Sequence, residues 1–330
     1  MMKTFSKIIM LATVAVNAVA WLSSCELEYY KEELYRKEIS FVSGDNNVIG
    51  QEFEYGGDEG LVALYASGTT PLAEDVTITI AMDQEAIGNY NRVNFDTQYD
   101  SYAKQLPEEN YTIKKMEVVM KAGENTAFLP IEVDIDNLLA DQAYFIPLRI
   151  ESVSAYMPSL TRNYVLFEIY RKNEFATTKE NTYYTMNGTM QEGWLIDGIF
   201  GSSVRRQVIN SSKLVVPCDD HSILILPAAK VSSDKRASRD MGIRITVSPD
   251  EWVNVPVYEE GILTDKVQPM RKVTFAPYLD SQEALQVVAS PVDVSGYDPV
   301  TETFHLYYRY KLANENSWFD VRETLVKTQY

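Results

Sequence analysis

The sequence predicts an all-β protein of two domains: an antiparallel β-sandwich, then a second all-β domain that is either a barrel or another sandwich. Three features predict this. Apolar and polar residues alternate with period two through most of the chain, which is the pattern of a strand with one buried face. Gly and Pro punctuate the alternation at short intervals, at Gly44, Gly56-Gly57, Gly68, Gly123 and Pro158 among others. A polar stretch, Lys172–Asn181 (KNEFATTKEN), divides the pattern in two.

Met1–Ser24 reads as a signal peptide. Lys3 and Lys7 make a short basic n-region, and Ile8–Leu22 (IIMLATVAVNAVAWL) is an apolar run broken only by Thr13 and Asn17. A bilayer core needs about 20 apolar residues, so this run is too short to span and fits a secretory h-region. Leu22-Ser23-Ser24-Cys25 closes it in the pattern of a lipobox. Cleavage is expected before Cys25, whose sulfur would take up the diacylglyceryl group. The acyl chains would be the membrane anchor, since no other stretch reaches spanning length. Residues 25–34 form a tether crowded with Glu26, Glu28, Glu32 and Glu33.

The first domain is expected over residues 35–172. Strands are predicted at Glu38–Val42, Val48–Tyr55, Leu61–Ala66, Val76–Met82, Tyr111–Lys121, Ala127–Ile135, Tyr144–Val153 and Tyr164–Arg171. Val76, Ile78, Ile80 and Met82, alternating with Thr77, Thr79 and Ala81, are the clearest case. Two stretches break the rhythm: Asp83–Tyr90 as a short helix with Asp83 near its N-cap, and Asp134–Ala140 as a single helical turn. The second domain, 173–330, carries strand patterns at Thr182–Met190, Arg205–Pro217, Ser222–Pro227, Gly242–Val247, Trp252–Tyr258, Arg271–Tyr278, Leu285–Ala289, Thr303–Leu312 and Trp318–Lys327.

A formal charge of −17 repels phosphate backbones and anionic headgroups, which argues against nucleic-acid binding and against membrane binding through a basic patch. Cys25 and Cys218 are the only cysteines, so acylation of Cys25 leaves no intramolecular disulfide and stability must come from burial.

The N-terminal half resembles the Bacteroidetes domain family DUF1735. The blocks that carry the resemblance are Gly68-Thr69-Thr70-Pro71-Leu72, Tyr99–Pro107 (YDSYAKQLP), Tyr111-Thr112-Ile113, Lys121-Ala122-Gly123, Leu129-Pro130-Ile131, Ala143–Ser152 (AYFIPLRIES) and Asn163-Tyr164-Val165-Leu166. The C-terminal half resembles its partner domain DUF4361 through Thr182–Gly188 (TYYTMNG) and Thr303–Leu325. The resemblance implies an immunoglobulin-like first domain and a lipid-anchored protein on the outward face of the outer membrane. It further implies encoding beside glycan-uptake machinery, and the acidic tether resembles the surface-export signal of such lipoproteins. It supplies no catalytic residue, and the chain lacks the Asp-x-Asp-x-Glu pattern of the hydrolases that accompany some relatives.

The residues themselves point to no catalytic or metal site and no cofactor. His221 and His305 are the only histidines. Cys218-Asp219-Asp220-His221 follows Pro217 in turn-like context and fits no metal spacing. Asp134-Ile135-Asp136-Asn137 lacks the Gly and closing Glu of a calcium loop. Gly56-Gly57 and Gly198–Gly201 lack the Lys and helix of a phosphate loop. Aromatics remain, with 22 Tyr, 12 Phe and 4 Trp. Indole rings can stack on the C–H faces of sugars. Trp194 lies in a Gly-bounded stretch that reads as a loop (GWLIDG), and Trp252 and Trp318 each begin a predicted strand. The expected function is non-catalytic binding of an oligosaccharide or polysaccharide through these three tryptophans, beside an outer-membrane glycan-uptake complex. The rivals are a structural or adhesion protein that binds a protein partner, and a glycoside hydrolase with unrecognised carboxylates.

Overall fold

The computed structural model describes residues 36–328 apart from 233, 260–261 and 280–282. The predicted signal peptide, Cys25 and the acidic tether lie outside the described residues. No helix among the described residues is long and apolar enough to cross a membrane.

The N-terminal half contains, in chain order, β1 (Glu38–Phe41), β2 (Val48–Glu54), β3 (Asp58–Ala66), β4 (Val76–Met82), helix α1 (Gln84–Phe95), β5 (Lys104–Gln105), β6 (Tyr111–Thr112), β7 (Glu117–Met120), β8 (Thr126–Val133), β9 (Tyr144–Val153), β10 (Met157–Pro158) and β11 (Tyr164–Lys172). They form two facing sheets, β10-β1-β3-β8-β6 and β2-β11-β9-β4-β7, with β5 beside β9. Alternation does place the core. In β8, Ala127, Leu129, Ile131 and Val133 are buried and the residues between them are exposed. Leu129, Ile131 and Val133, fully buried, each contribute about 1.5–3 kcal/mol. Phe53 of β2 and Phe167 of the neighbouring strand β11 meet edge to face on the buried face of their sheet, ring centroids 6.1 Å apart.

Four features depart from the sequence reading. The sandwich is not wholly antiparallel: β1–β10, β2–β11 and β5–β9 pair in parallel, because periodicity carries no information about a partner's direction. The single strand expected over Tyr111–Lys121 is two strands in different sheets, β6 against β8 and β7 against β4. The expected helical turn over Asp134–Ala140 is a non-helical turn, with Asn137 at φ 62° and Asp134 accepting the Asp136 N–H at 2.9 Å. The predicted helix is longer than expected, ending at Phe95, and Asp83 caps it by accepting the Ala86 N–H at 3.1 Å. Tyr90 of α1 packs on Phe145 of β9 with ring centroids 5.1 Å apart. The helix therefore covers the sheet's outer face, and Tyr144–Leu148 is buried on both sides.

The C-terminal half contains β12 (Thr182–Ile196), β13 (Ile199–Gly201), β14 (Gln207–Pro217), β15 (Ser222–Ile225), helix α2 (Lys235–Met241), β16 (Ile243–Glu259), β17 (Ile262–Pro277), β18 (Leu285–Ala289), β19 (Gly296–Asp298), β20 (Thr303–Leu312) and β21 (Trp318–Lys327). Pairing runs β12-β14-β15-β16-β17-β19-β20, then β20 to β21, and β21 back to β12. The ring closes through eight antiparallel strands, so the second domain is a barrel rather than a sandwich, and closure removes the open edges a sandwich would leave. The strands expected at Gly242–Val247 and Trp252–Tyr258 are one strand, β16, with a register shift between Val247 and Trp252. Phe304, Tyr308 and Tyr310 of β20, with Leu306 among them, form a buried ladder along the interior.

The halves meet in a polar seam. Arg171, at the end of β11, donates to the carbonyls of Leu139, Ala140 and Gln142 and so braces the sandwich side. Asp141 accepts from Arg239 of α2 at 2.7 Å and from the Tyr278 hydroxyl at 2.8 Å. Asn173 donates to the carbonyls of Asp219 and Ser222. Ala140 of the sandwich packs with Cys218, Leu224 and Tyr278 of the barrel domain.

Candidate functional site

The three tryptophans occupy three distinct environments. Trp194 does not lie in a loop, contrary to the reading of its flanking glycines. It sits near the end of β12, paired with Gly201 of β13 in a tight hairpin. The connection is Asp197-Gly198, with φ 48° and 78°. Two successive positive φ angles suit a type I′ turn, whose twist matches that of the flanking strands, and Asp-Gly is a preferred sequence for it. That dipeptide between Ile196 and Ile199 was the hairpin signal in the sequence.

The hairpin holds the Trp194 ring in place. A Cβ on Gly201 would stand 2.5 Å from the indole Nε1, so the ring lies on the bare backbone of the opposite strand and only glycine leaves room for it. The indole remains 49% exposed. Below the tip, Ser202 Oγ donates to the Glu192 carbonyl at 2.6 Å and Gln191 Nε2 to the Val204 carbonyl at 2.8 Å. These bonds fasten β12 to the segment that follows β13.

Trp318 begins β21, as expected, and pairs with Gly193. Directly paired residues share a face and neighbours along a strand do not, so Trp318 of β21 and Trp194 of β12 project from opposite faces of the sheet the two strands form. They cannot cradle one ligand between them. Asp320, two residues beyond Trp318, is buried and committed to Arg309 at 2.9 Å and to Arg206. Arg309 also lies over the Phe200 ring, 5.2 Å from its centroid. Trp252 sits on β16 just past the register shift, 55% exposed and paired with Arg271. Arg271 is turned toward the Phe175 and Tyr297 rings and ion-paired to Glu174 at 2.6 Å.

The other sequence candidates are structural. Cys218–His221 forms the turn between β14 and β15, with Asp219 accepting the His221 N–H at 2.9 Å. Burial pushes the Cys218 thiol up to about 12, so it is no nucleophile at neutral pH. Among the described residues no three His, Cys, Asp or Glu side chains converge as a metal site.

Two features were missed. Inside the barrel, Lys213 of β14 and Glu323 of β21 form a buried pair, with Nζ 2.9 Å from each carboxylate oxygen. Lys213 also donates to the Leu226 carbonyl at 2.9 Å, and the Tyr308 hydroxyl donates to Glu323 at 3.1 Å. Burial lowers the Lys213 ammonium and raises the Glu323 carboxyl, each opposed by attraction to the other. The second feature is a cleft between the domains, about 300 Å³, opening into a groove of about 500 Å³ over β14 and β15. Asn181, Leu214, Val216, Leu224, Ser232 and Ser238 line both. Glu168 and Tyr170 of β11 and Lys235 of α2 add charge and a hydroxyl to the cleft. These residues come from the sandwich, the segment between domains, the barrel and α2, so no local pattern could have gathered them.

Comparison with known proteins places the chain's two halves. A family model for an N-terminal domain matches residues 35–157, and one for the corresponding C-terminal domain matches residues 163–326. Among solved structures, the chain is similar to a Bacteroides ovatus protein of unknown function, at 16% identity and TM-score 0.59 over 87% of this chain and 93% of that one. It is similar to a multidomain protein including DUF1735 from the same species, at 16% identity and TM-score 0.57 over 87% and 93%. It is also similar to an auxiliary nutrient binding protein of Bacteroides thetaiotaomicron, at 16% identity and TM-score 0.54 over 86% and 92%. No curated protein matches the chain.

Proposed function

We propose, from the premise that this chain belongs to the two-domain DUF1735 family, that it is a non-catalytic glycan-binding lipoprotein. It is anchored through Cys25 to the outward face of the outer membrane and holds oligosaccharide for uptake. The observation that carries the reading is Trp194. Its half-exposed ring is laid on Gly201 and fastened by a tight hairpin, so stacking a sugar on it costs little ordering of the protein. The description of a structural relative as nutrient binding is in keeping with this, and the nutrient class is our reading.

The test is a glycan array and affinity gel with the full chain in detergent, parent against Trp194→Ala. A ring contact of about 1.4 kcal/mol predicts a tenfold loss of affinity. The melting temperature should not move, because a half-exposed ring at a hairpin tip contributes little to the core. Parent and variant binding alike would overturn the Trp194 platform. Absence of any glycan ligand for the parent would favour protein adhesion through the same tip, where Ile196 and Ile199 are 62% and 74% exposed.

A further inference from the structure

The geometry points to a second binding site, for a small zwitterion of amino-acid to dipeptide size, in the cleft between the two domains. This goes beyond the glycan reading and does not depend on it. The cleft, about 300 Å³, lies at the small end of the range for ligand pockets, and domain interfaces are where such pockets form.

Two opposite charges line it that form no ion pair among the described residues. On the sandwich wall, Glu168 accepts the Tyr170 hydroxyl at 2.8 Å through Oε2. Its other oxygen accepts no hydrogen bond among the described residues, and no lysine or arginine is paired with it. On the α2 wall, among the described residues, the Lys235 ammonium reaches only the Ser101 carbonyl, at 3.4 Å, and no carboxylate. Two carboxylates near Lys235 are already committed. Asp141 is held by Arg239 and Tyr278, and Asp234 caps α2 by accepting the Arg236 N–H at 2.9 Å. Asp141 still attracts the Lys235 ammonium from its place beside Arg239, and the cations Arg239, Arg171 and Lys104 oppose that attraction.

The cleft therefore presents one carboxylate, Glu168, and one ammonium, Lys235, outside any ion pair among the described residues, beside Asp141, Arg171 and Asp234, which are already engaged. Burial raises the Glu168 carboxyl, offset in part by the Tyr170 hydroxyl, and lowers the Lys235 ammonium, offset in part by the nearby Asp141 carboxylate. A ligand that sets an ammonium on Glu168 and a carboxylate on Lys235 relieves both. A neutral sugar relieves neither. Leu214, Val216 and Leu224 supply apolar floor for the ligand's carbon frame.

The experiment is titration calorimetry on the full chain in detergent with L-alanyl-L-alanine. Its N-acetyl form, its C-terminal amide and its doubly capped form serve as shape-matched controls. Saturable binding of the dipeptide is expected, weakened at least tenfold by either cap. Glu168→Gln keeps the side-chain shape and should bind the N-acetyl form as well as it binds the dipeptide. Lys235→Met should likewise stop distinguishing the amide. Trp194→Ala should leave dipeptide binding unchanged, so this site and the glycan platform fail separately. Equal binding of the doubly capped form, equal binding of glucose, or no binding of the dipeptide would each overturn the proposal.

Discussion

In the sandwich, the inward positions of β3, β4 and β8 are filled by Val62, Leu64, Ala66, Val76, Ile78, Ile80, Ala127, Leu129, Ile131 and Val133. In the barrel, the same alternation on β14 and β21 puts Lys213 and Glu323 inside, among Tyr308, Val321 and Leu325. The contrast is between two ways of finishing a β core. Two sheets pressed face to face need only apolar fill. Inside the barrel the Lys213 and Glu323 side chains are almost wholly shielded from solvent, so each charge must be answered by protein groups. Lys213 is answered by Glu323 and the Leu226 carbonyl, and Glu323 by Lys213 and Tyr308. The Tyr308 hydroxyl in turn accepts the Ala228 N–H at 2.8 Å, tying the network to the segment after β15.

The largest expected effect breaks that answer on one side. Glu323→Ala leaves Lys213 buried with no counter-charge and should cost about 3–5 kcal/mol, read from chemical denaturation. Replacing both partners, Lys213→Met with Glu323→Leu, should restore the parent's stability or exceed it, since neither charge then has to be desolvated. A single variant that melted like the parent would mean the pair is hydrated, and the contrast with the sandwich would fall.

A middle-sized effect tests whether the two cores unfold as one. Asp141→Ala removes acceptors from Arg239 and Tyr278 at the seam and should cost about 1.5–3 kcal/mol, the range for hydrogen bonds to charged groups. Calorimetry of the parent should show one main transition, and the variant should separate sandwich and barrel transitions. Two well-resolved transitions already present in the parent would show that the seam does not couple them.

The smallest effect is a pH slope confined to the barrel. Burial lowers the His305 imidazole below its ordinary 6.5, opposed weakly by Asp298. Between the two values the unfolded chain binds more protons than the folded one. The stability involved is thus fully present above pH 6.5 and is lost as pH falls through the folded value. His305→Gln should flatten the barrel's stability between pH 7 and 5 and leave the sandwich unchanged. An identical slope in the variant would assign the effect elsewhere.

What could be read in the chain was whatever depends on neighbours along it. Alternation located β3, β4, β8, β9 and β20 closely. Asp83 marked the start of α1, because an N-cap is a contact across three residues. The Asp197-Gly198 turn was equally local and equally legible, although the glycines around Trp194 suggested a loop instead.

Sequence by itself determined the class of fold, the strand faces, the acidic surface and the three indoles as candidate rings. Tertiary structure alone decided the rest. It set the parallel pairings, because alternation is the same in either direction. It closed the barrel, because closure is a contact between β12 and β21, more than a hundred residues apart. It placed Trp194 and Trp318 on opposite faces, because a one-residue step in register turns a side chain over. It assembled the Lys213–Glu323 pair and the Glu168–Lys235 cleft. Each joins residues whose separation along the chain leaves no periodic trace, and only burial shows that their charges need an answer.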